Sequence, residues 1–175
     1  SGIFQTRKTR EAGLALKSME KAATPGKKSV EEVSAFLNVP AGVLIKTLIY
    51  ETEAGIIAAL TRGDDVLNEA KLRRALGAGW VRLADEKVVR EATGAPSGFA
   101  GPVGLKIRII ADREVKDISS GVTGANEADA HLVNVSPARD FSGAEYADLR
   151  VVKDGDPCPR CQGRLAIKRG IEVGH

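Results

Sequence analysis

Two apolar runs, VLIKTLIY at residues 43–50 and GIIAALTR at residues 55–62, constrain this chain more than any other stretch. Both read as strands flanking a short polar turn at residues 51–54, and a helical pattern follows Gly63 and Asp64. In the first run, alternation puts Leu44, Lys46, Leu48 and Tyr50 on one face and Val43, Ile45, Thr47 and Ile49 on the other. One ammonium therefore sits in an apolar surface, where it must be solvated, paired or bound to an anion. Two readings stay open: Lys46 lies on an edge strand and extends its head to water, or it holds a phosphate or carboxylate at the mouth of a cleft.

With 175 residues, 43% of them hydrophobic, the chain can bury a core without covalent staples, and its length fits one domain. The net charge of +3 is uneven: residues 1–30 carry seven Lys or Arg against two Glu, which leaves −2 for the rest. Such a basic segment suits nucleic acid or is a solvated face. Aromatic residues make up only 4%, which disfavours a stacking platform for single strands; contact with RNA would fall to backbone, charge and one pocket. No apolar run reaches 18 residues and no signal-peptide core is present, so the expectation is a soluble, cytoplasmic protein without membrane contact. The pair Cys158 and Cys161 fits a reducing compartment better than a disulfide scaffold.

Along the chain, residues 7–22 pattern as a charged amphipathic helix, broken at Thr24, Pro25 and Gly26. Ser29 and Glu32 form a capping-box pattern for a helix with Val33, Phe36 and Leu37 as its buried stripe. Asp64 or Asp65 is placed to cap the next helix, which Gly77 ends; a short strand at 80–83 and a helix at 85–92 follow. Residues 93–104 are too rich in Gly and Pro for a regular element, 105–111 alternate as a strand ending on Asp112, and 119–130 read as a second loop before His131. Short strands are expected at 149–152 and 165–168. The irregular alternation points to a mixed sheet with helices packed on it.

Several features carry chemistry. The loop Gly98, Phe99, Ala100, Gly101, Pro102 has a G-x-x-x-P form, which either turns the chain or gathers backbone N–H groups around an oxyanion or phosphate. His131, after a loop with Gly124, Ala125 and Asn126, is a proton carrier, a gate or a structural hydrogen-bonder. Asp112 orients a base, binds a substrate amine, pairs with Arg113, or caps the next turn. Cys158 and Cys161 supply half of a zinc ribbon, and only Asp156 and His175 offer further ligands, so no metal or other cofactor is assigned. Motifs of metalloproteases, serine hydrolases and P-loop enzymes are absent.

Taken in order, VLIKTLIY, LTRGDDVLNEAKL, GFAGPVGL, ADREV, GVTGANEADAHLVNV, ARDF, ADLRVVKDGDPCPRC and RGIEVGH closely resemble the editing domain inserted into bacterial-type prolyl-tRNA synthetases. The resemblance covers residues 24–175, with 1–23 as a basic helical segment or linker, and RGIEVGH stands where the synthetase core would resume. It implies an α+β fold of the YbaK-like deacylases, a mixed, partly closed sheet surrounded by helices. The implied activity is hydrolysis of alanine from mischarged proline tRNA, without a cofactor, by a domain that is monomeric when isolated from a homodimeric synthetase. By the same resemblance, Lys46, Gly98, Gly101, Pro102, Asp112 and His131 are the catalytic positions, and Lys46, Thr47, Leu48, Phe99, Ala100, Gly124, Ala125 and Asn126 contact substrate. Asp65 stands where many relatives carry histidine and receives no role. The competing functions are a non-catalytic module that binds the tRNA acceptor end, and a zinc-ribbon nucleic-acid binder.

Overall fold

The computed structural model describes residues 17–158, 160, 161, 163–168 and 170. Its centre is the expected hairpin: β2 (Leu44–Thr52) and β3 (Gly55–Arg62) pair antiparallel around a turn at Glu53 and Ala54, with Gly55 at φ 120°. Both faces of β2 are buried: Tyr50 packs with Ile110 and Leu72 on one, and Ile49 packs with Ala58, Val89 and Ala100 on the other. A run that is apolar on alternate and intervening positions alike belongs in the middle of a sheet. The edge-strand reading of Lys46 is corrected for the strand as a whole, since β2 lies inside the sheet, although at Lys46 itself only β3 is paired.

Among the described residues the sheet has eight strands, in the order β1 (Glu20–Ala23), β7 (Ala130–Val135), β6 (Gly121–Gly124), β2, β3, β5 (Arg108–Asp112), β8 (Glu145–Ala147), with β4 (Val81–Leu83) also on β2. Its pairings are both parallel and antiparallel, as expected of a mixed sheet. One feature of this order creates the site. On the edge of β2 away from β3, Leu44 and Ile45 pair with β6, whereas Tyr50, Glu51 and Thr52 pair with β4. Residues 46–48 lie between these two neighbours, and the sheet is split there.

Helices close the faces. The first, α1 (Val30–Leu37), begins at the predicted capping box: Ser29 Oγ accepts from the Glu32 N–H at 3.2 Å while Glu32 accepts from the Ser29 N–H at 3.0 Å. Val33 is its buried contact, but Phe36 is 49% exposed and is not part of the stripe. Next, α2 (Glu69–Leu76) is capped by Asn68, not by either aspartate, and Gly77 ends it in the left-handed region. The third helix, α3 (Glu86–Thr93), starts at Asp85 as its spacing suggested, and a short α4 (Pro137–Asp140) was not foreseen. Among the described residues no helix is long and apolar enough to cross a membrane.

Further corrections concern strands. Residues 20–23, expected to finish a helix, form β1 on β7, so the sheet reaches upstream of residue 24; the remainder of that helix lies outside the described residues, apart from 17–19. The loop expected at 119–130 contains β6, and β8 was not anticipated. Among its described residues the tail holds isolated bridges in place of the expected strands, Leu67 with Arg150 and Pro157 with Arg164.

Candidate active site

A cleft of about 230 Å³ opens at the split in the sheet. Its walls come from the start of α1 (Lys28, Ser29), from β2 (Lys46, Thr47, Leu48), from Gly98 and Ala100, and from Gly124 and His131. Segments far apart in sequence thus meet because β2, still paired to β3, lacks a strand neighbour on its other edge at 46–48.

The Lys46 ammonium donates to the carbonyl oxygen of Asp65. Its half-burial pushes the pKa below the usual lysine value, while the charges of Asp65, Asp64 and Glu31 oppose that shift. Beside it, the Thr47 hydroxyl is buried with no partner among the described residues. A polar atom left open in a cleft wall is a candidate for a ligand hydrogen bond.

The G-x-x-x-P loop is held by backbone contact. A Cβ at Gly101 would overlap the Gly124 carbonyl, and one at Gly124 would overlap the carbonyls of Phe99 and Ala100. Gly98, at φ 92°, lies against Lys28, where a Cβ would come within 2.8 Å of the lysine Cβ. Asn126 braces this arrangement: its N–H donates to Phe99 O at 2.9 Å, its Oδ1 accepts from the Gly101 N–H at 2.8 Å, and its Nδ2 donates to Val103 O at 3.0 Å. The Phe99 N–H is used by Pro96 O at 3.1 Å. The N–H groups of Gly98 and Ala100 have no partner among the described residues, and both residues line the cleft.

His131 is 5% exposed and is held on two sides. Its Nδ1 lies 2.7 Å from the Thr24 hydroxyl, and its ring also bonds to the Gly98 backbone. Burial lowers its pKa, the larger effect, and the Gly98 bond partly offsets this, so the ring is neutral near pH 7. The Phe99 ring packs against it with centroids 5.6 Å apart. In this geometry His131 fastens β7 to the G-x-x-x-P loop and to the segment before α1.

Not every expected residue reaches the cleft. Phe99, Gly101, Pro102, Ala125 and Asn126 do not line it; they shape or brace the loop behind it. Asp112 lies elsewhere: its Oδ1 accepts from the Glu114 N–H at 2.9 Å, and its Oδ2 from Leu149 and Arg150 N–H at 2.8 and 3.0 Å. Of its four expected roles, the cap of the following turn is the one seen. Conversely, Thr24, Lys28 and Thr123 were missed. Lys28 precedes the recognisable capping box, which was the one signal that could have placed it beside a site.

Among its described residues the tail offers no closed metal site. The Asp156 carboxylate is engaged by Arg150 Nη1 at 2.6 Å and the Lys153 N–H at 2.7 Å, and His175 lies outside the described residues. Among the described residues no group of three or more His, Cys, Asp or Glu could hold a metal ion.

Residues 24–141 match the model of the aminoacyl-tRNA editing domain family. A proline-tRNA ligase of Geobacter sulfurreducens is 54% identical over 158 residues, 90% of this chain and 28% of that protein. A proline-tRNA ligase of Pelotomaculum thermopropionicum is 51% identical over 172 residues, 98% of the chain and 30% of the relative. The chain thus spans less than a third of the length of these relatives. Among solved structures, a candidate trans-editing enzyme for prolyl tRNA synthetase superposes with a TM-score of 0.69 at 23% identity, over 77% of this chain and 87% of that one, which supports the fold. The chain belongs to the aminoacyl-tRNA editing domain family, in the version found within proline-tRNA ligases.

Proposed function

We propose that this domain hydrolyses the ester of alanine mistakenly joined to proline tRNA. The observation that carries the reading is the split in the sheet, where a half-buried ammonium, an open hydroxyl and two open backbone N–H groups share one small cleft. An aminoacyl ester matches this set chemically. Lys46 meets the acceptor-end phosphate or ribose, Thr47 meets a ribose hydroxyl, and the N–H groups of Gly98 and Ala100 meet the ester carbonyl oxygen.

Water then attacks the carbonyl carbon, the oxyanion gathers charge toward the N–H donors, and the ribose oxygen leaves with a proton passed through the neighbouring ribose hydroxyl. Of the lining hydroxyls, Ser29 accepts from the Glu32 N–H and Thr123 donates to Ile45 O, while Thr47 is reserved in this reading for the ribose; no thiol or carboxylate is among the described residues that line the cleft. His131, neutral and clamped, serves as a wall of the amino-acid pocket, which excludes the proline ring and admits alanine. The partners are the acceptor end of the tRNA and the aminoacylation core of the synthetase, in the cytoplasm.

The test is hydrolysis of alanyl- and prolyl-tRNA made on the same proline tRNA, with wild type and Lys46→Ala. Loss of alanine alone, reduced on the order of 100-fold or more in the variant, is expected. Equal rates for alanine and proline would refute the pocket, and a protein-bound alanyl ester trapped by rapid acid quench would refute direct water attack.

A further inference from the structure

Lys46 does not stand alone in the cleft wall. The Asp65 whose carbonyl it contacts is 2% exposed, and the carboxylate of that residue is paired on one oxygen only: Oδ1 lies 2.6 Å from Lys153 Nζ, while Oδ2 has no hydrogen-bond partner among the described residues. Lys153 Nζ also donates to Asp64 O at 2.5 Å. A buried carboxylate with one open oxygen keeps part of its charge uncompensated, and the nearest site groups feel it.

The lysine is delivered there by a rigid frame. Arg150, 6% exposed, binds Glu114 Oε1 at 3.1 Å and Asp156 Oδ2 at 2.6 Å, and Asp156 in turn accepts the Lys153 N–H at 2.7 Å. The Val151 N–H donates to Val66 O at 2.7 Å, next to Asp65 itself. Of this frame, Arg150, Val151, Lys153 and Asp156 lie beyond residue 141, where the family match ends, and they hold Glu114 and Val66 within it.

We propose that Asp65 and Lys153 are positioning residues for Lys46, so that the segment after β8 is a working part of the editing site. The proposal rests on the deacylase reading for its consequence, but its geometry is independent of it. The charged groups that bear on Lys46 are Asp65 and Asp64 after β3, Glu31 on α1 and Lys153 on the tail; Lys28 and the neutral His131 share its cleft. Asp65 favours the ammonium, and Lys153 acts against it both by repulsion and by neutralising Asp65. Removing one or the other must therefore move Lys46 in opposite directions, which a purely structural role would not do.

The experiment is titration of the lysine amines by NMR after ¹³C-dimethylation of the folded chain, the Lys46 signal being identified by its loss in Lys46→Arg. Asp65→Asn is expected to lower the Lys46 midpoint by about one pH unit, and Lys153→Met to raise it, with Lys153→Arg close to wild type. The alkaline limb of alanyl-tRNA hydrolysis should follow the same two signs. An unmoved midpoint, or shifts of the same sign, overturns the proposal. Opposite shifts in a chain that never hydrolyses alanyl-tRNA uphold the relay and overturn the deacylase reading. If Asp65→Asn does not fold, the Lys153→Met and Lys153→Arg pair decides alone.

Discussion

Asp112→Asn separates a fold-holding carboxylate from a catalytic one. The native carboxylate, 2% exposed, accepts three backbone N–H bonds, one from the turn after β5 and two from the tail at Leu149 and Arg150. An amide of the same shape has one acceptor oxygen, so the best rotamer keeps the pair at Oδ2 and presents its own N–H₂ to the Glu114 N–H. One charge-assisted bond, about 1.5–3 kcal/mol, is lost, and the other two weaken to ordinary bonds. The expected loss of stability is about 2–4 kcal/mol, which at a urea slope of about 2 kcal/mol/M lowers the midpoint by about 1–2 M. Urea unfolding followed by tryptophan fluorescence measures this, since Trp80 is the single tryptophan. Alanyl-tRNA hydrolysis is then compared at a temperature where both forms are folded, and kcat should fall less than tenfold. A variant as stable as wild type that nonetheless loses more than 100-fold in kcat would refute the structural assignment and restore Asp112 to the chemistry.

Gly101→Ala should displace the G-x-x-x-P loop, because the new methyl overlaps the Gly124 carbonyl and strains the bond to Asn126; a fall in kcat/KM of about 100-fold is expected from a misplacement of about 1 Å, read by the same hydrolysis assay. Wild-type activity in Gly101→Ala would contradict the packing argument. For His131, whose folded pKa lies below the unfolded value, the unfolded chain binds more protons at mildly acidic pH. Stability should therefore be complete above about pH 7 and decline as the pH falls through about 6.5 towards the lowered folded value, and His131→Gln should abolish that slope in denaturation curves run at each pH.

Much of the fold was legible because the signals were local. The capping box at Ser29 and Glu32, the stop at Gly77 and the start at Asp85 depend on hydrogen bonds within a few residues, and each appeared where its pattern lay. Patterns with two local solutions failed. Asp64, Asp65 and Asn68 are all good caps, and packing of Leu72 against the sheet selected Asn68. Residues 20–23 have no strand pattern of their own and become β1 only because β7 has a free edge. Phe36 fits a helical stripe, yet it stays exposed among the described residues.

The candidate site divides in the same way. That Lys46 needs a compensating partner followed from one charge in an apolar strand, and that residues 98–102 form a shaped loop followed from their glycines, since both are properties of the residues themselves. Which groups surround that lysine could not follow from local pattern, because Asp65, Lys153 and His131 are brought near it by pairings across 19 to 107 positions. Only the tertiary structure decided that Gly101 and Asn126 brace the loop while Gly98 and Ala100 keep their N–H groups open, and that Asp112 serves the tail and not the cleft. The physical reason is that a backbone group has one set of hydrogen bonds to give, and long-range packing determines which of them are already used.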